Sequence, residues 1–281
     1  LLIGGYESDN TMSGGADSDL LIGGLGGSND MSGDDGADLL IGGLNSDNTM
    51  SGGADNDLLI GGYGGANDMS GDAGEDLLIG GLDSDNILSG GLNNDLLIGG
   101  LTGTNTMNGD EGEDLLIGGL NATNDMSGDD GNDLLIGGLL DDTMDGGIGA
   151  DLLMGLSGDD TMFGDKTAEH AADGAGADLM FGGEGNDTMF GNGNNDLLFG
   201  GEGNDTLDGG YGVDLLFGGA DNDKLYGYED TDFLFGGAGD DTLYGDKAED
   251  GSEYMPGSSD FLFGGAGNDT MEGNGGDDLL T

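Results

Sequence analysis

Short apolar segments recur along this chain at a fixed spacing. The sequence Asp-Leu-Leu-Ile-Gly-Gly begins at Asp19 and returns at Asp38, Asp57 and onward to Asp133 with a constant period of 19. Later versions, such as Asp-Leu-Leu-Phe and Asp-Phe-Leu-Phe, mostly follow one another with a period of 18. A fixed period of this size predicts a single supersecondary unit that is stacked many times.

Each repeat divides into two halves, and each half is a loop rich in Gly, Asp and Asn followed by a three-residue segment. The segments are too short for helices, and the glycine content disfavours helix. A large apolar residue in the middle of each segment suits a short strand whose central side chain points inward. Two strands and two turns would close one coil, and stacked coils would form two parallel sheets.

The pattern therefore predicts an all-β fold, a parallel β-solenoid. Residues 1–145 are expected to form 19-residue coils, and residues 146–281 to form 18-residue coils of the same continuous solenoid. Two insertions, at 164–177 and 245–259, interrupt the second part. They contain Lys166, Glu169 and His170, and Lys247, Tyr254 and Pro256. Projecting contact loops and tolerated surface insertions are equally good interpretations.

Charge changes this picture, because an ordinary chain of this composition would not fold. There are 69 Gly residues and 59 acidic residues against 3 basic ones, for a formal net charge of −56. Such self-repulsion favours disorder unless bound cations neutralise it. Hard divalent cations prefer carboxylate and carbonyl oxygens. The same charge repels phosphate, so we expect no nucleic-acid partner. The chain has no cysteine. It also lacks an apolar run as long as a transmembrane helix needs, so we expect no membrane span.

From Gly155 onward the half-repeat is a regular nonapeptide. Gly182–Phe190 reads Gly-Gly-Glu-Gly-Asn-Asp-Thr-Met-Phe, and Gly236–Tyr244 and Gly264–Glu272 keep the same frame. This resembles the nonapeptide of the RTX (repeats-in-toxin) proteins, Gly-Gly-x-Gly-x-Asp-x-U-x with U a large apolar residue. The resemblance implies a right-handed β-roll with two nonapeptides per coil. It also implies several Ca²⁺ ions, bound between coils by the position-six Asp carboxylates and by loop carbonyls.

Two columns of aspartates match the position of the family's calcium ligands. The column that precedes the Leu-Leu-Ile-type strands contains Asp19, Asp38, Asp57, Asp76, Asp95, Asp114, Asp133, Asp151, Asp178, Asp196, Asp214, Asp232, Asp260 and Asp278. The column on the other side is present only in the later part and contains Asp142, Asp160, Asp187, Asp205, Asp223, Asp241 and Asp269. The alternative is that these residues only cap turns.

In the first part the second position is asparagine, and its loop is one residue longer. These residues are Asn10, Asn29, Asn48, Asn67, Asn86, Asn105 and Asn124. They could bind calcium weakly or form an amide hydrogen-bond ladder, and the ladder is favoured. We therefore expect calcium on one side of the first part and on both sides of the second.

The residues that flank the inward leucine should point outward and form an apolar strip. Representative members are Leu20, Ile22, Leu39, Ile41, Leu58, Ile60, Phe199, Phe217, Phe235 and Phe263. A strip of this length exceeds what a monomer normally exposes, which favours self-association through this face. The alternative is that these side chains stay partly exposed.

No catalytic constellation is visible. The single histidine, His170, has no histidine or cysteine partner, and no residue pair stands out among the repeated carboxylates, so we do not expect an enzyme. The leading interpretation is a secreted, cell-surface structural protein: an excerpt of a longer extracellular fibre, surface layer or adhesin that folds on calcium. The resemblance implies a bacterial source and type I secretion. The alternatives are an accessory RTX segment of a larger secreted enzyme or toxin and, with less support, an ice-binding module.

Overall fold

The computed structural model describes residues 1–165, 176–246 and 257–281, and these divide into two compact units, Leu1–Leu140 and Asp141–Thr281. Within the described residues the regular structure is entirely β-strand, which confirms the predicted all-β class. In each unit the strands form two parallel sheets, and successive strands alternate between them. Sheet 1 contains the Leu-Leu-Ile-type strands, and sheet 2 contains the strands between them.

In the first unit, sheet 1 is built from very short strands. They are β1 (Leu2–Ile3), β3 (Leu20–Ile22), β5 (Leu39–Ile41), β7 (Leu58–Ile60), β9 (Leu77–Ile79), β11 (Leu96–Ile98), β13 (Leu115–Ile117) and β15 (Leu134–Ile136). The strands of sheet 2 are β2 (Asn10–Ala16), β4 (Ser28–Asp35), β6 (Asp47–Ala54), β8 (Asn67–Ala73), β10 (Asn86–Leu92), β12 (Thr102–Glu111) and β14 (Asn121–Asp130).

In the second unit the strands of the two sheets are more alike in length. Sheet 1 contains β17 (Leu152–Ser157), β19 (Leu179–Glu184), β21 (Leu197–Glu202), β23 (Leu215–Ala220), β25 (Phe233–Ala238), β27 (Phe261–Ala266) and β29 (Leu279–Leu280). Sheet 2 contains β16 (Thr143–Ile148), β18 (Thr161–Asp165), β20 (Thr188–Gly193), β22 (Thr206–Tyr211), β24 (Lys224–Glu229), β26 (Thr242–Tyr244) and β28 (Thr270–Glu272).

The strand register reproduces the sequence period. In the first unit each residue pairs with the residue 19 positions away, as Leu40 does with Leu59. In the second unit the regular step is 18, as from Leu198 to Leu216. It lengthens to 27 at Leu152↔Leu179 and to 28 at Phe233↔Phe261, where the sequence contains the insertions. Most residues of those insertions, including all six named above, lie outside the described residues.

One apolar side chain per strand forms the core, as the pattern predicts. In sheet 1 of the first unit, Leu21, Leu40 and Leu59 have no exposed surface, and in sheet 2 Met31 and Met50 are 1% exposed. The second unit repeats this arrangement. Because identical residues stack in register, each core side chain packs against its copies in the neighbouring coils.

The sheet-2 strands of the first unit are longer than the three residues expected. They contain 7 to 10 residues, and in β12 and β14 the pairing extends from Thr102↔Asn121 to Glu111↔Asp130. The asparagine side chains described below bind the preceding loop and neighbouring coils. They hold the backbone before the apolar residue in register, and the pairing also continues after that residue, as from Asn108 to Glu111 in β12.

Candidate metal centres

The aspartates that precede sheet 1 form a continuous column within the first unit. Asp38, Asp57, Asp76, Asp95 and Asp114 are 3–4% exposed. Each places one carboxylate oxygen, Oδ1, on the backbone N–H of the corresponding aspartate in the preceding coil. The N–H of Asp38, for example, donates to Oδ1 of Asp57 at 2.7 Å. One oxygen of each carboxylate is therefore used in a hydrogen bond between neighbouring coils.

The second carboxylate oxygen remains available. Among the described residues no hydrogen-bond donor reaches the buried Oδ2 atoms of Asp38, Asp57, Asp76, Asp95 or Asp114. A buried carboxylate oxygen without a partner is costly unless a cation or a proton compensates it. These atoms are therefore well suited to bind a metal ion.

Glycine leaves space beside each of these oxygens. A Cβ at Gly71 would overlap Oδ2 of Asp76 and would lie 2.6 Å from the carbonyl oxygen of Gly90 in the next coil. Gly52 and Gly109 have the same surroundings. A carboxylate oxygen and a backbone carbonyl oxygen thus face the same small space, and both are ligands that Ca²⁺ prefers. The residues present fit calcium.

In the second unit this arrangement occurs on both sides. The column before sheet 1 includes Asp178, Asp196, Asp214, Asp232 and Asp260, and the column before sheet 2 includes Asp160, Asp187, Asp205, Asp223 and Asp241. These ten residues are at most 2% exposed, and each has an Oδ2 atom without a hydrogen-bond donor among the described residues. A Cβ at Gly182 would overlap Oδ2 of Asp187, so the second column has the same glycine cradle as the first.

The remaining predicted ligands lie at the ends of the columns or continue them. Asp133, Asp142 and Asp151 are buried in the same positions. Asp19, Asp269 and Asp278 are half-buried, because a neighbouring coil covers them less completely. The oxygen Oδ1 of Asp269 accepts the N–H of Asp241 at 3.0 Å, and Oδ1 of Asp278 accepts that of Asp260 at 3.0 Å.

Burial makes these carboxylates difficult to ionise without a cation. Desolvation raises the pKa of Asp57 and of Asp95 to about 7 in the first unit. In the second unit desolvation raises the pKa of Asp196 to about 9, and desolvation together with the charge of Asp214 raises that of Asp232 to about 10. A bound divalent cation would reverse this effect by stabilising the ionised form.

The asparagine column of the first unit forms a side-chain ladder. The amide nitrogen of Asn29 donates to Oδ1 of Asn48 at 2.8 Å, and Asn48 donates to Asn67 at 2.9 Å. The same oxygen of Asn48 accepts the backbone N–H of Gly43 at 2.7 Å. The ladder runs from Asn10 to Asn124 with amide–amide distances of 2.8–2.9 Å. Of the two alternatives for this column, the structure contains the ladder.

Serine reinforces this ladder in alternate coils. Ser46 and Ser84 are buried, and their hydroxyl oxygens accept hydrogen bonds of 3.1 Å from the amides of Asn29 and Asn67. Intervening coils have glycine at this position, and a Cβ at Gly65 would overlap the carbonyl oxygen of Ser46. On the side of the first unit that lacks the second aspartate column, the buried side-chain hydrogen bonds therefore join neutral groups. Exposed carboxylates such as Asp47 add bonds between coils at the surface.

Two further buried aspartates are absent from the sequence-based set. Asp165 and Asp246 are 7% and 1% exposed, and each follows the glycine that faces a column aspartate. In the second unit this position is otherwise Gly147, Asn192, Gly210, Tyr228 or Asn274, and in some coils of the first unit it is an exposed aspartate, such as Asp34 or Asp72. The available signal was the Gly-Asp-Lys sequence that opens both insertions, because no other coil of the second unit has an aspartate at this position.

The predicted apolar strip is half-buried. Leu20, Ile22, Leu39, Ile41, Leu58 and Ile60 all flank buried leucines and are neither fully buried nor fully exposed. In the second unit Phe199, Phe217 and Phe235 stack with ring centroids 4.8 Å apart, and Phe235 stacks on Phe263 at 4.7 Å. Stacking along each sheet thus covers part of every side chain.

A second apolar row in the first unit is more exposed. We call it the apolar ridge, and it follows the glycine pair after each sheet-1 strand. Its members are between 41% and 69% exposed: Tyr6, Leu25, Leu44, Tyr63, Leu82, Leu101, Leu120 and Leu139. The sequence pattern did not separate this row from the loops. It is the most exposed regular apolar feature of the described first unit.

Comparison with known proteins supports the calcium assignment. The described part of the chain contains no helix of the length and apolarity that a membrane crossing needs. Comparison of the sequence with curated proteins gives no significant match. The family profile for the RTX calcium-binding nonapeptide repeat (4 copies), in contrast, matches residues 4–122, 127–162, 163–250 and 257–281. This match covers nearly the whole chain and agrees with the parallel β-solenoid and its aspartate columns, so the chain belongs to the family of proteins with RTX calcium-binding nonapeptide repeats.

Proposed function

We propose that this chain is a structural segment of a secreted assembly, a fibre, surface layer or large adhesin, and that calcium drives its folding. Calcium binding by several ions follows from the family. The structural role, the absence of catalysis and the self-association are our inferences. The observation that carries the proposal is the pair of long apolar rows that calcium binding does not require.

Calcium-driven folding follows from the charges. A chain with a net charge of −56 repels itself, and its column carboxylates lie in a buried environment that disfavours ionisation. Ions held between the Oδ2 atoms and the glycine carbonyls would neutralise that charge, and their binding free energy would become folding free energy. The chain would then be unfolded at low cytosolic calcium and folded at millimolar extracellular calcium.

This behaviour suits an exported protein. Proteins with RTX repeats are usually secreted. We place this chain outside the cell, and a bacterial source with one-step, type I secretion fits an unfolded export form. Folding would then occur only after export, where calcium is available.

The apolar rows support assembly. The ridge residues Leu44 and Leu82 are each 54% exposed and lie in a regular row along the first unit. An exposed apolar row of this length is typical of a surface that contacts a protein partner. Because successive coils of the first unit each present a leucine or a tyrosine in this row, a second copy of the chain is a suitable partner for it.

Association of the calcium-loaded chain tests the proposal. Sedimentation velocity and negative-stain images should show concentration-dependent oligomers or filaments in millimolar calcium. Leu44→Ser together with Leu82→Ser should reduce association without loss of β-structure. Ile87→Ser is the matched control, since Ile87 is 53% exposed but lies in sheet 2, away from the ridge.

A folded, calcium-loaded chain that remains monomeric at high concentration would contradict the structural role. It would favour the alternative of an accessory segment in a larger secreted enzyme or toxin. A chain that keeps its β-structure in calcium-free buffer at pH 8 would contradict the folding mechanism instead.

A further inference from the structure

We propose that Asp246 joins Asp260 and Asp278 in a three-carboxylate calcium site, which has one carboxylate ligand more than the repeated sites of the columns. Asp260 and Asp278 are column residues, but Asp246 occupies a position at which the regular nonapeptide has no carboxylate. This inference goes beyond the proposed assembly and does not depend on it.

The three carboxylates converge. One oxygen from each of Asp246, Asp260 and Asp278 lies within 4.8 Å of the other two. Ca²⁺ binds oxygen at 2.3–2.6 Å, so two ligands of one ion can be up to about 5 Å apart. A single calcium ion can therefore contact all three side chains with little movement.

Two of the three aspartates are buried, and one carboxylate oxygen of Asp260 has no hydrogen-bond donor among the described residues. Asp246 and Asp260 are each 1% exposed. Within the described part of the chain no donor reaches Oδ2 of Asp260, and a Cβ at Gly245 would overlap this atom. Buried carboxylates this close together repel one another strongly unless a cation lies between them.

Hydrogen bonds hold the carboxylate of Asp246 in place. Its Oδ1 accepts the backbone N–H of Ser258 at 3.1 Å and the hydroxyl of Ser258 at 2.7 Å. Its Oδ2 accepts the N–H of Gly275 at 3.0 Å. Oriented ligands with satisfied second partners are characteristic of built metal sites. Each oxygen retains a further lone pair for the ion.

The location of the site explains why an extra ligand occurs there. Consecutive sheet-1 strands are 28 residues apart at the second insertion. Asp246 lies at the start of that insertion, and Ser258 and Asp260 lie at or after its end. An ion on Asp246 and Asp260 would connect the chain before and after this interruption of the repeat. Asp165 precedes the other interruption, is 7% exposed, and has an Oδ2 atom that no described donor reaches.

Crystals grown in calcium provide the direct test. We expect an anomalous difference peak with oxygens of Asp246, Asp260 and Asp278 each about 2.3–2.6 Å from the ion. A peak bound by Asp260 and Asp278 alone, with the carboxylate of Asp246 more than about 3.5 Å away, would overturn the proposal.

Hydrogen–deuterium exchange of the full chain gives a second test in solution. In Asp246→Asn, the free calcium needed to protect peptides from 257–266 should rise about tenfold, while peptides of the first unit should not change. Asp277→Asn is the matched control, because Asp277 is exposed and carries the same charge beside the site. Equal shifts in both variants, or no shift in Asp246→Asn, would exclude Asp246 as a ligand.

Discussion

Each of the two compact units has sheet-1 strands preceded by an aspartate column, but the units differ in how their other side is held together. In the first unit the side chains on that side are neutral asparagines, whose amides bond to one another at 2.8–2.9 Å. In the second unit they are aspartates, and Asp187 and Asp223 each have one oxygen that no described donor reaches. The same backbone position thus supports either a self-sufficient ladder or a column that requires a cation.

This difference has an electrostatic consequence. An amide both donates and accepts hydrogen bonds, so in a stack of asparagines each side chain can provide the partner that its neighbour needs. A carboxylate can only accept hydrogen bonds, so a stack of aspartates bonded through one oxygen of each side chain does not use the other oxygen. Burial accordingly raises the pKa of Asp223 to about 8, whereas Asn48 and Asn67 carry no charge. The second unit should therefore depend on calcium more strongly than the first.

Removal of calcium should have the largest effect. At pH 8 the calcium-free chain should lose most of its β-structure, because the buried carboxylates would be ionised and unpaired. Hydrogen–deuterium exchange at decreasing free calcium should show loss of protection in the second unit before the first. Simultaneous loss in both units would contradict the stabilising role of the asparagine ladder.

Acid should partly replace calcium. Desolvation raises the pKa of Asp178 to about 8 and that of Asp196 to about 9, above the ordinary aspartate value of 3.8. A raised carboxyl pKa means that the neutral form stabilises the calcium-free fold below about pH 4. This contribution is lost as the pH rises through the range up to about 9.

The calcium-free chain should therefore show more β-structure by circular dichroism at pH 5 than at pH 8. The gain in amide protection should be greater in the second unit. The lower pH is kept above the sequence pI of about 4.1 to limit precipitation. A calcium-free fold that is less stable at pH 5 than at pH 8 would contradict the burial of ionisable carboxylates.

Interruption of the ladder should destabilise the first unit. Asn67 accepts the N–H of Gly62 at 2.7 Å and the amide of Asn48 at 2.9 Å, and it is 1% exposed. Asn67→Ala leaves these donors without their acceptor and should cost about 2–4 kcal/mol in calcium. Thermal unfolding followed by circular dichroism would measure this. Thr49→Ala, at an exposed site in the same sheet, should change stability little.

Replacement of one column aspartate should have opposite effects with and without calcium. Asp205→Asn keeps an oxygen for the N–H of Asp187 but removes a carboxylate, and should weaken the local calcium site about tenfold. Desolvation raises the pKa of Asp205 to about 6, so at pH 5 folding without calcium requires protonation of a carboxyl that is ionised in the unfolded chain. The neutral amide avoids this cost and should stabilise the calcium-free fold at pH 5. Melting temperatures that move in the same direction under both conditions would contradict this account.

The smallest expected effect concerns the stacked rings. Phe217 stacks on Phe199 and on Phe235, each at 4.8 Å. Phe217→Leu removes both ring contacts from a half-buried row and should cost about 1 kcal/mol, with or without a partner copy. The corresponding Ile60→Val in the first unit should cost less, because no aromatic stacking is lost. Chemical unfolding in calcium would compare the two.

Much of the repeat arrangement could be predicted from the sequence. Because the strands are parallel and in register, a residue such as Leu40 contacts its own copies one period away. The repeat alone therefore identifies the core leucines and places Asp38 and Asp57 in one column. The asparagine alternatives could be ranked for the same reason, since an amide stacked on an amide can bond to it.

Other features of the site and the surface depend on atomic positions that the repeat period does not specify. In each column aspartate one oxygen bonds to the preceding coil and the other is available for an ion. This difference between the two oxygens follows from the turn geometry. The exposure of Leu44 and the partial burial of Ile60 depend on which neighbours cover them, although both are regular apolar positions.

The sequence by itself determined the stacked fold, its core and the position of its aspartate columns, because all three follow from the constant period of the repeat. Only the tertiary structure showed that Asp246 lies beside Asp278. An insertion separates the two residues in the sequence, so the repeat period does not predict their contact. Contacts between equivalent positions can be predicted from a repeat. Contacts at an interruption of the repeat can be identified only from the folded structure.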